Sequence, residues 1–147
     1  MRIAIGFDHA GFPLRERLLA ELSGRHDIVD CGATTLLPDD DYPDYARAVG
    51  EAILGGRADR GIVVCGSGVG ASVAASKMRG IRGALCHDTF SARQGVEDDD
   101  LNVLCIGARV IGTELMAEVV RAFLGAQFSG APRHRRRLAK IAELERG

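Results

Sequence analysis

The run Gly61-Ile62-Val63-Val64-Cys65-Gly66-Ser67-Gly68-Val69-Gly70-Ala71-Ser72 ends an apolar stretch on a cysteine and then places glycine at alternate positions. β-Branched residues before the thiol predict a strand, and the alanine-rich sequence after it predicts a helix. The thiol then sits at the carboxyl end of a strand, beside bare backbone N–H groups and a helix N-terminus that favours negative charge. A thiol so placed can ionise, and the same N–H groups can hold an oxyanion. A base beside an anion cradle suits the removal of a proton from carbon.

Rival motifs fail on particular residues. A dinucleotide fingerprint needs GxGxxG after the first strand, and the glycines here are spaced differently. A phosphate P-loop ends in Gly-Lys-Ser/Thr, and Gly70-Ala71-Ser72 lacks the lysine. A cysteine-based phosphatase closes its loop with an arginine where Ala71 stands. A small anion or enediolate cradle remains, against the plainer alternative of a buried cysteine before a tight turn.

Other residues could complete such a site. Asp8-His9 follows the first strand pattern and leads through Ala10-Gly11 into a helix. Asp8 could equally serve only as a helix cap, with His9 on the surface. Arg109 follows the last strand, and Arg133, His134 and Arg137 start the last helix, with Arg133 and Arg137 one turn apart on one face. Guanidinium forks match a phosphate, although a basic cluster alone is usually a solvated face. Glu97-Asp98-Asp99-Asp100 and Asp39-Asp40-Asp41 read as solvated loops, and no metal site is expected from them.

The elements that must position these groups alternate along the chain. Strand patterns cover Arg2–Phe7, Asp27–Cys31, Gly61–Cys65, Ile81–Cys86 and Asn102–Ile106. Helical patterns cover Phe12–Gly24, Tyr42–Gly55, Val69–Arg79, Thr89–Glu97, Gly112–Phe128 and Arg133–Glu145. Repeated βα units predict an α/β three-layer sandwich, a five-stranded parallel Rossmann-like sheet between helices. Ligands of such sheets bind beyond the carboxyl ends of the strands. The last helix is thinly apolar, with Leu138, Ile141 and Leu144, and is expected to pack on a partner subunit.

With 147 residues, 46% hydrophobic and 27% charged, the chain suits one domain spanning 1–147. A net charge of −1 gives no reason to expect nucleic acid or an anionic membrane. No apolar run approaches the ~20 residues of a membrane span. The start, Met1-Arg2-Ile3-Ala4-Ile5, reads as a strand rather than a signal peptide. Cys31, Cys65, Cys86 and Cys105 contain no CxxC pair, which points to reduced thiols in a cytoplasm. Cys65, Cys86 and Cys105 are each expected at or near a strand end.

These motifs together resemble the ribose/galactose isomerase family, over nearly the whole chain. The marks are Asp8-His9-Ala10-Gly11, Asp41-Tyr42-Pro43-Asp44-Tyr45-Ala46, Cys65-Gly66-Ser67-Gly68-Val69-Gly70, Asn102-Val103-Leu104, Gly107-Ala108-Arg109 and Arg133-His134. The resemblance implies a five-stranded parallel sheet between helices and an aldose–ketose isomerase of sugar phosphates that needs no metal or other cofactor. It implies a homodimer or homotetramer whose sites take arginines from the neighbouring subunit. On this chain it makes Cys65 the base that moves a proton between C1 and C2. Backbone N–H groups of Gly66, Gly68, Val69 and Gly70 would hold the enediolate, and Ser67 would help pass a proton between O1 and O2 or orient the thiol. Asp8 and His9 would contact substrate, and Arg109, Arg133 and Arg137, with His134 or His9, would hold the phosphate.

One position departs from the family. Family members usually carry a histidine that opens the furanose ring in the loop before the last strand. Asp98 stands there, and Asp99 takes the place of a substrate-contacting asparagine. An ionised carboxylate is a poor general acid; Asp98 could serve as a base toward the anomeric hydroxyl, or be protonated if buried. Three readings follow: an isomerase of ribose 5-phosphate with altered ring opening, an isomerase of an open-chain tetrose 4-phosphate, and a catalytically silent sugar-phosphate binder.

Overall fold

A computed structural model describes residues 1–147. Five strands, β1 (Arg2–Phe7), β2 (Asp27–Asp30), β3 (Arg60–Cys65), β4 (Gly83–Leu85) and β5 (Val103–Gly107), form one parallel sheet in the order β2-β1-β3-β5-β4. The helices are α1 (Arg15–Leu22), α2 (Tyr42–Leu54), α3 (Val69–Ala75), α4 (Thr89–Asp99), α5 (Thr113–Gly125) and α6 (Pro132–Arg146). None is long and apolar enough to cross a membrane.

Side-chain alternation along the central strands divides the core in two. Ile3, Ile5 and Phe7 of β1 and Ile62 and Val64 of β3 pack with Leu18 and Leu22 of α1 and with Met116, Val119, Val120 and Phe123 of α5. Ala92 and Val96 of α4 join that layer. Ala4, Val63 and Cys65 point to the other face, against Ala46, Val49 and Ala52 of α2 and Ala71 and Ala75 of α3. The result is the expected helix–sheet–helix sandwich. Phe7 and Phe123 are wholly buried, and burying each side chain contributes roughly 1.5–3 kcal/mol.

The elements differ from the sequence pattern in several places, among them α3, which ends at Ala75 rather than Arg79. β2 and β4 are edge strands and only half-buried, so they lack the full burial of β1, β3 and β5. The first helical pattern opens as a 3-10 turn, Phe12–Leu14, before α1, with Pro13 at its start. Cys105 lies within β5 rather than at its end. Finally, α4 continues through Asp99, and Asp100 ends it in a left-handed conformation with φ 48°. The acidic run is therefore the last turn of a helix, not a loop.

From β1 the chain moves to β2 on one side, and then crosses to β3 on the other. The two connections diverge beyond the carboxyl ends of β1 and β3, leaving a crevice there.

Candidate active site

Asp8-His9 continues from β1 and Cys65 closes β3, so both strand ends open into that crevice. A cleft of about 300 Å³ is lined by Asp8, His9, Tyr42, Cys65, Gly66, Ser67, Gly70 and Arg109, together with Ala10 and Val110. Residues from the ends of β1, β3 and β5 and from the start of α2 thus converge, although they are far apart in sequence.

Close backbone approach builds this cleft. Gly11 lies so near the carbonyl of Val64 that a Cβ there would overlap it. At Gly107 a Cβ would lie 2.5 Å from the Ser67 carbonyl, and at Gly70 it would lie 2.5 Å from the Tyr42 ring. Gly68 has φ +79° and opens α3, a conformation that glycine adopts without steric cost. The glycine spacing therefore serves packing against β5 and α2 as well as the loop's own turn.

The thiol is 4% exposed, and the Gly68 N–H donates to Cys65 Sγ at 3.1 Å. Such a contact strengthens when the acceptor is charged. The Val69 N–H donates to Ser67 Oγ at 3.3 Å. The N–H groups of Gly66, Ser67 and Gly70 have no acceptor within the chain, so this loop presents open donors beside the sulfur. The guanidinium of Arg109 lies over Gly66 and forms no ion pair, while the Arg109 backbone N–H donates to the Gly66 carbonyl at 3.0 Å.

Asp8 is 4% exposed and accepts the Gly11 N–H at 2.8 Å. Its carboxylate thus shapes the turn that it also lines. His9 donates its backbone N–H to Asp40 Oδ1 at 2.8 Å, and its Nδ1 lies 2.9 Å from the same oxygen. Tyr45 Oη donates to Asp40 Oδ2 at 2.8 Å. Asp40 is therefore not a solvated loop residue: its side chain is 9% exposed and organises His9. Burial would raise the Asp40 carboxyl, but hydrogen bonds from His9 and Tyr45 outweigh it and hold the group below the usual carboxylate range. Burial, then Asp40, pushes Tyr45 up to about 12, which keeps it a donor.

The other expected site residues lie elsewhere on this chain. Asp98, on the last turn of α4, accepts Gln94 Nε2 at 2.7 Å and stands 3.3 Å from His134 Nε2. His134 is 3% exposed, with Nδ1 2.5 Å from Ser129 Oγ. Asp98 and His134 thus tie α6 to α4, and neither lines the cleft. Arg133 and Arg137 are exposed on α6 and form no ion pairs. Asp99 borders a separate hollow of about 470 Å³ with Arg82, Ile141 and Leu144.

Sequence reasoning gave Tyr42 no role in the site, and it missed Asp40. A further omission is His87, beyond β4, whose Nε2 accepts the Gly107 N–H at 2.9 Å behind the Ser67 loop. Tyr42 stood in a quoted motif and could have been assigned from it. Asp40 and His87 act across the fold, and nothing in their local sequence marks them.

Comparison with known proteins adds a further observation. A family model described as Ribose/Galactose Isomerase matches residues 3–141. The chain is 43% identical to ribose-5-phosphate isomerase B of Escherichia coli over 145 residues, covering 98% of this chain and 96% of that one. It is 38% identical to D-erythrulose-4-phosphate isomerase of Pectobacterium atrosepticum over 131 residues, covering 88% and 86%. Among solved structures, ribose-5-phosphate isomerase B of Clostridium thermocellum superposes with a TM-score of 0.95 at 41% identity, covering 99% of this chain and 98% of that one.

Proposed function

The chain belongs to the ribose/galactose isomerase family and is an aldose–ketose isomerase, and from that premise we propose that it interconverts ribose 5-phosphate and ribulose 5-phosphate. The observation that carries this reading is the convergence of one thiol, open backbone donors and an unpaired arginine in a single cleft. The Cys65 thiolate removes the proton from the carbon beside the carbonyl and returns it to the neighbouring carbon. The N–H groups of Gly66, Ser67 and Gly70 hold the enediolate oxygens, and Ser67 Oγ passes a proton between O1 and O2. Donors fixed where charge develops lower the barrier without reorganising, and losing one typically costs about 2.7–4 kcal/mol. Arg109 holds the phosphate, so that remote binding energy orients the reacting carbons.

A tetrose 4-phosphate is the second reading. Asp98 stands where the family resemblance implies a ring-opening histidine, and here it pairs with His134 outside the cleft of its own chain. A relative is also named as an erythrulose-4-phosphate isomerase. In a tetrose 4-phosphate the phosphate blocks O4, so no furanose forms and no ring opening is needed. Steady-state rates on ribose 5-phosphate and on erythrose 4-phosphate separate the two. Turnover of the pentose is expected; turnover of the tetrose alone would replace the first reading with the second.

A further inference from the structure

If the site accepts a cyclic sugar phosphate, as the proposed function requires, a proton must reach the ring oxygen before any proton leaves carbon. The family resemblance assigns that task to the position that Asp98 fills here. The side chain at that position is held by Gln94 and His134 and lies outside the cleft of its own chain. The cleft itself holds one imidazole, His9.

His9 is built as one half of a pair. Its Nδ1–H and its backbone N–H both donate to Asp40 Oδ1, at 2.9 and 2.8 Å. Asp40 is fixed from its other oxygen by Tyr45 and is nearly buried. A side chain used only to bind an anion needs no such support. A carboxylate behind one ring nitrogen sets the tautomer and orients the ring, and the other nitrogen is left for proton transfer. Nε2 makes no hydrogen bond within the chain, and the His9 side chain is 38% exposed in the cleft that also holds Cys65.

We infer that the Asp40–His9 pair opens the furanose ring, with His9 as the general acid and Asp40 as its positioning residue. In this step the C1–O4 bond breaks and its electron pair stays on O4, which takes the proton from His9 Nε2. The anomeric O1–H gives its proton to solvent water, and its O–H electrons form the C1=O1 carbonyl. His9 becomes neutral and regains a proton from solvent before the next turnover. No oxidation state changes, because the hemiacetal and aldehyde carbons are at the same oxidation level.

The charges around His9 suit this role. The hydrogen bond to Asp40 holds its imidazolium above the usual histidine range, and Asp8 adds to this against the cost of burial. The groups facing it are Asp8 from the same turn, Asp40 from the loop before α2, Tyr45 from α2, and Cys65 and Arg109 across the cleft. A raised value keeps the acid form populated near neutrality, where a general acid is most useful.

His9→Asn tests the inference, because its amide can keep the donor to Asp40 but has no Nε2. On ribose 5-phosphate its kcat/KM should fall at least about 100-fold, and on erythrose 4-phosphate less than about fivefold. Equal losses on both sugars would make His9 a phosphate contact and overturn the inference, with the isomerase reading intact. A direct measurement is independent of isomerase turnover. NMR exchange spectroscopy on ribose 5-phosphate follows interconversion of its α and β anomers, which needs only ring opening. Cys65→Ala should accelerate this exchange, and Cys65→Ala combined with His9→Asn should not; equal acceleration by both would overturn the inference. Asp40→Asn should move the alkaline limb of the ribose 5-phosphate kcat profile to lower pH, since the group that raises His9 is gone. An unmoved limb would remove Asp40 from the pair.

Discussion

Among the cysteines only Cys65 lines the cleft, and burial disfavours the thiolate of the others. Burial pushes the Cys86 thiol up to about 11 and raises Cys105 further in the same direction. Burial also raises Cys31, although Arg57 opposes it. Since the thiolate is the nucleophile, these three react slowly at neutral pH. Iodoacetamide should therefore label Cys65 first, as read by peptide mass, and ribose 5-phosphate should slow that labelling. Preferential labelling elsewhere would remove the chemical basis for Cys65 as the base. Cys65→Ser should lower kcat by about 10²–10⁴-fold, the usual contribution of a general base, because a serine hydroxyl is far less acidic. At this scale the sequence was most legible. Cys65, Asp8, His9 and Arg109 were named from type and position and Ser67 from the family resemblance, and the structure brings them into one cleft. Asp40 was not legible, because a carboxylate in an acidic run looks solvated until the fold sets it against His9 and Tyr45.

The elements transmit order to that cleft through their ends. The carboxyl end of β5 is caught between His87 and the Ser67 loop: Gly107 gives its N–H to His87 Nε2, and a Cβ there would strike the Ser67 backbone. His87→Leu leaves this N–H without a partner, which costs about 1–3 kcal/mol. His87→Gln can retain an acceptor and should lose less; equal losses in urea unfolding would show that the hydrogen bond carries little. Burial lowers His87 below the usual histidine range against the pull of Asp88, and burial likewise lowers His26. A lowered folded value makes the unfolded chain the better proton binder in mild acid. This share of stability is complete above the ordinary histidine value and is lost as pH falls toward the depressed folded ones. His9, whose folded value is raised, contributes in the opposite sense, so the test is the difference: stability in urea lost between pH 7 and pH 5 should be smaller in His87→Gln than in the wild type. The βα order and most element cores followed from hydrophobic period, since buried strands and amphipathic helices differ in repeat. What did not follow was set by neighbours. β4 pairs only over Gly83–Leu85 because it is an edge, and α4 absorbs Asp98 and Asp99 because His134 and Gln94 hold its last turn.

At the scale of the whole molecule, the cleft of one chain holds a single unpaired arginine, whereas Arg133 and Arg137 stand exposed on α6 with no acidic partner. The helices that follow β3 and β4 carry exposed apolar side chains. Val69 and Val73 lie one turn apart on α3 at 51% and 55% exposure, and Phe90 at the start of α4 is 63% exposed. Leu85 packs beside Gly68. In a two-fold assembly each such surface recurs on both copies, so α6 of one copy can serve the cleft of the other. A site shared in this way makes a strong prediction about mixtures. On the proposed mechanism Cys65→Ala would remove the base from its own cleft, and in a shared site Arg137→Ala would remove a phosphate ligand from the partner's. Each variant alone should be nearly inactive. Co-expressed with separate tags and isolated together, a mixed dimer holds one cleft with both defects and one with neither. If subunits pair at random, half of the dimers are mixed and each has one intact site, so activity should return to about a quarter of the wild-type value. Sedimentation velocity on the same sample establishes that the subunits associate. Association without recovered activity would mean that Cys65 and Arg137 serve the same chain's site, and the phosphate would then have to be held without arginines from the partner's α6.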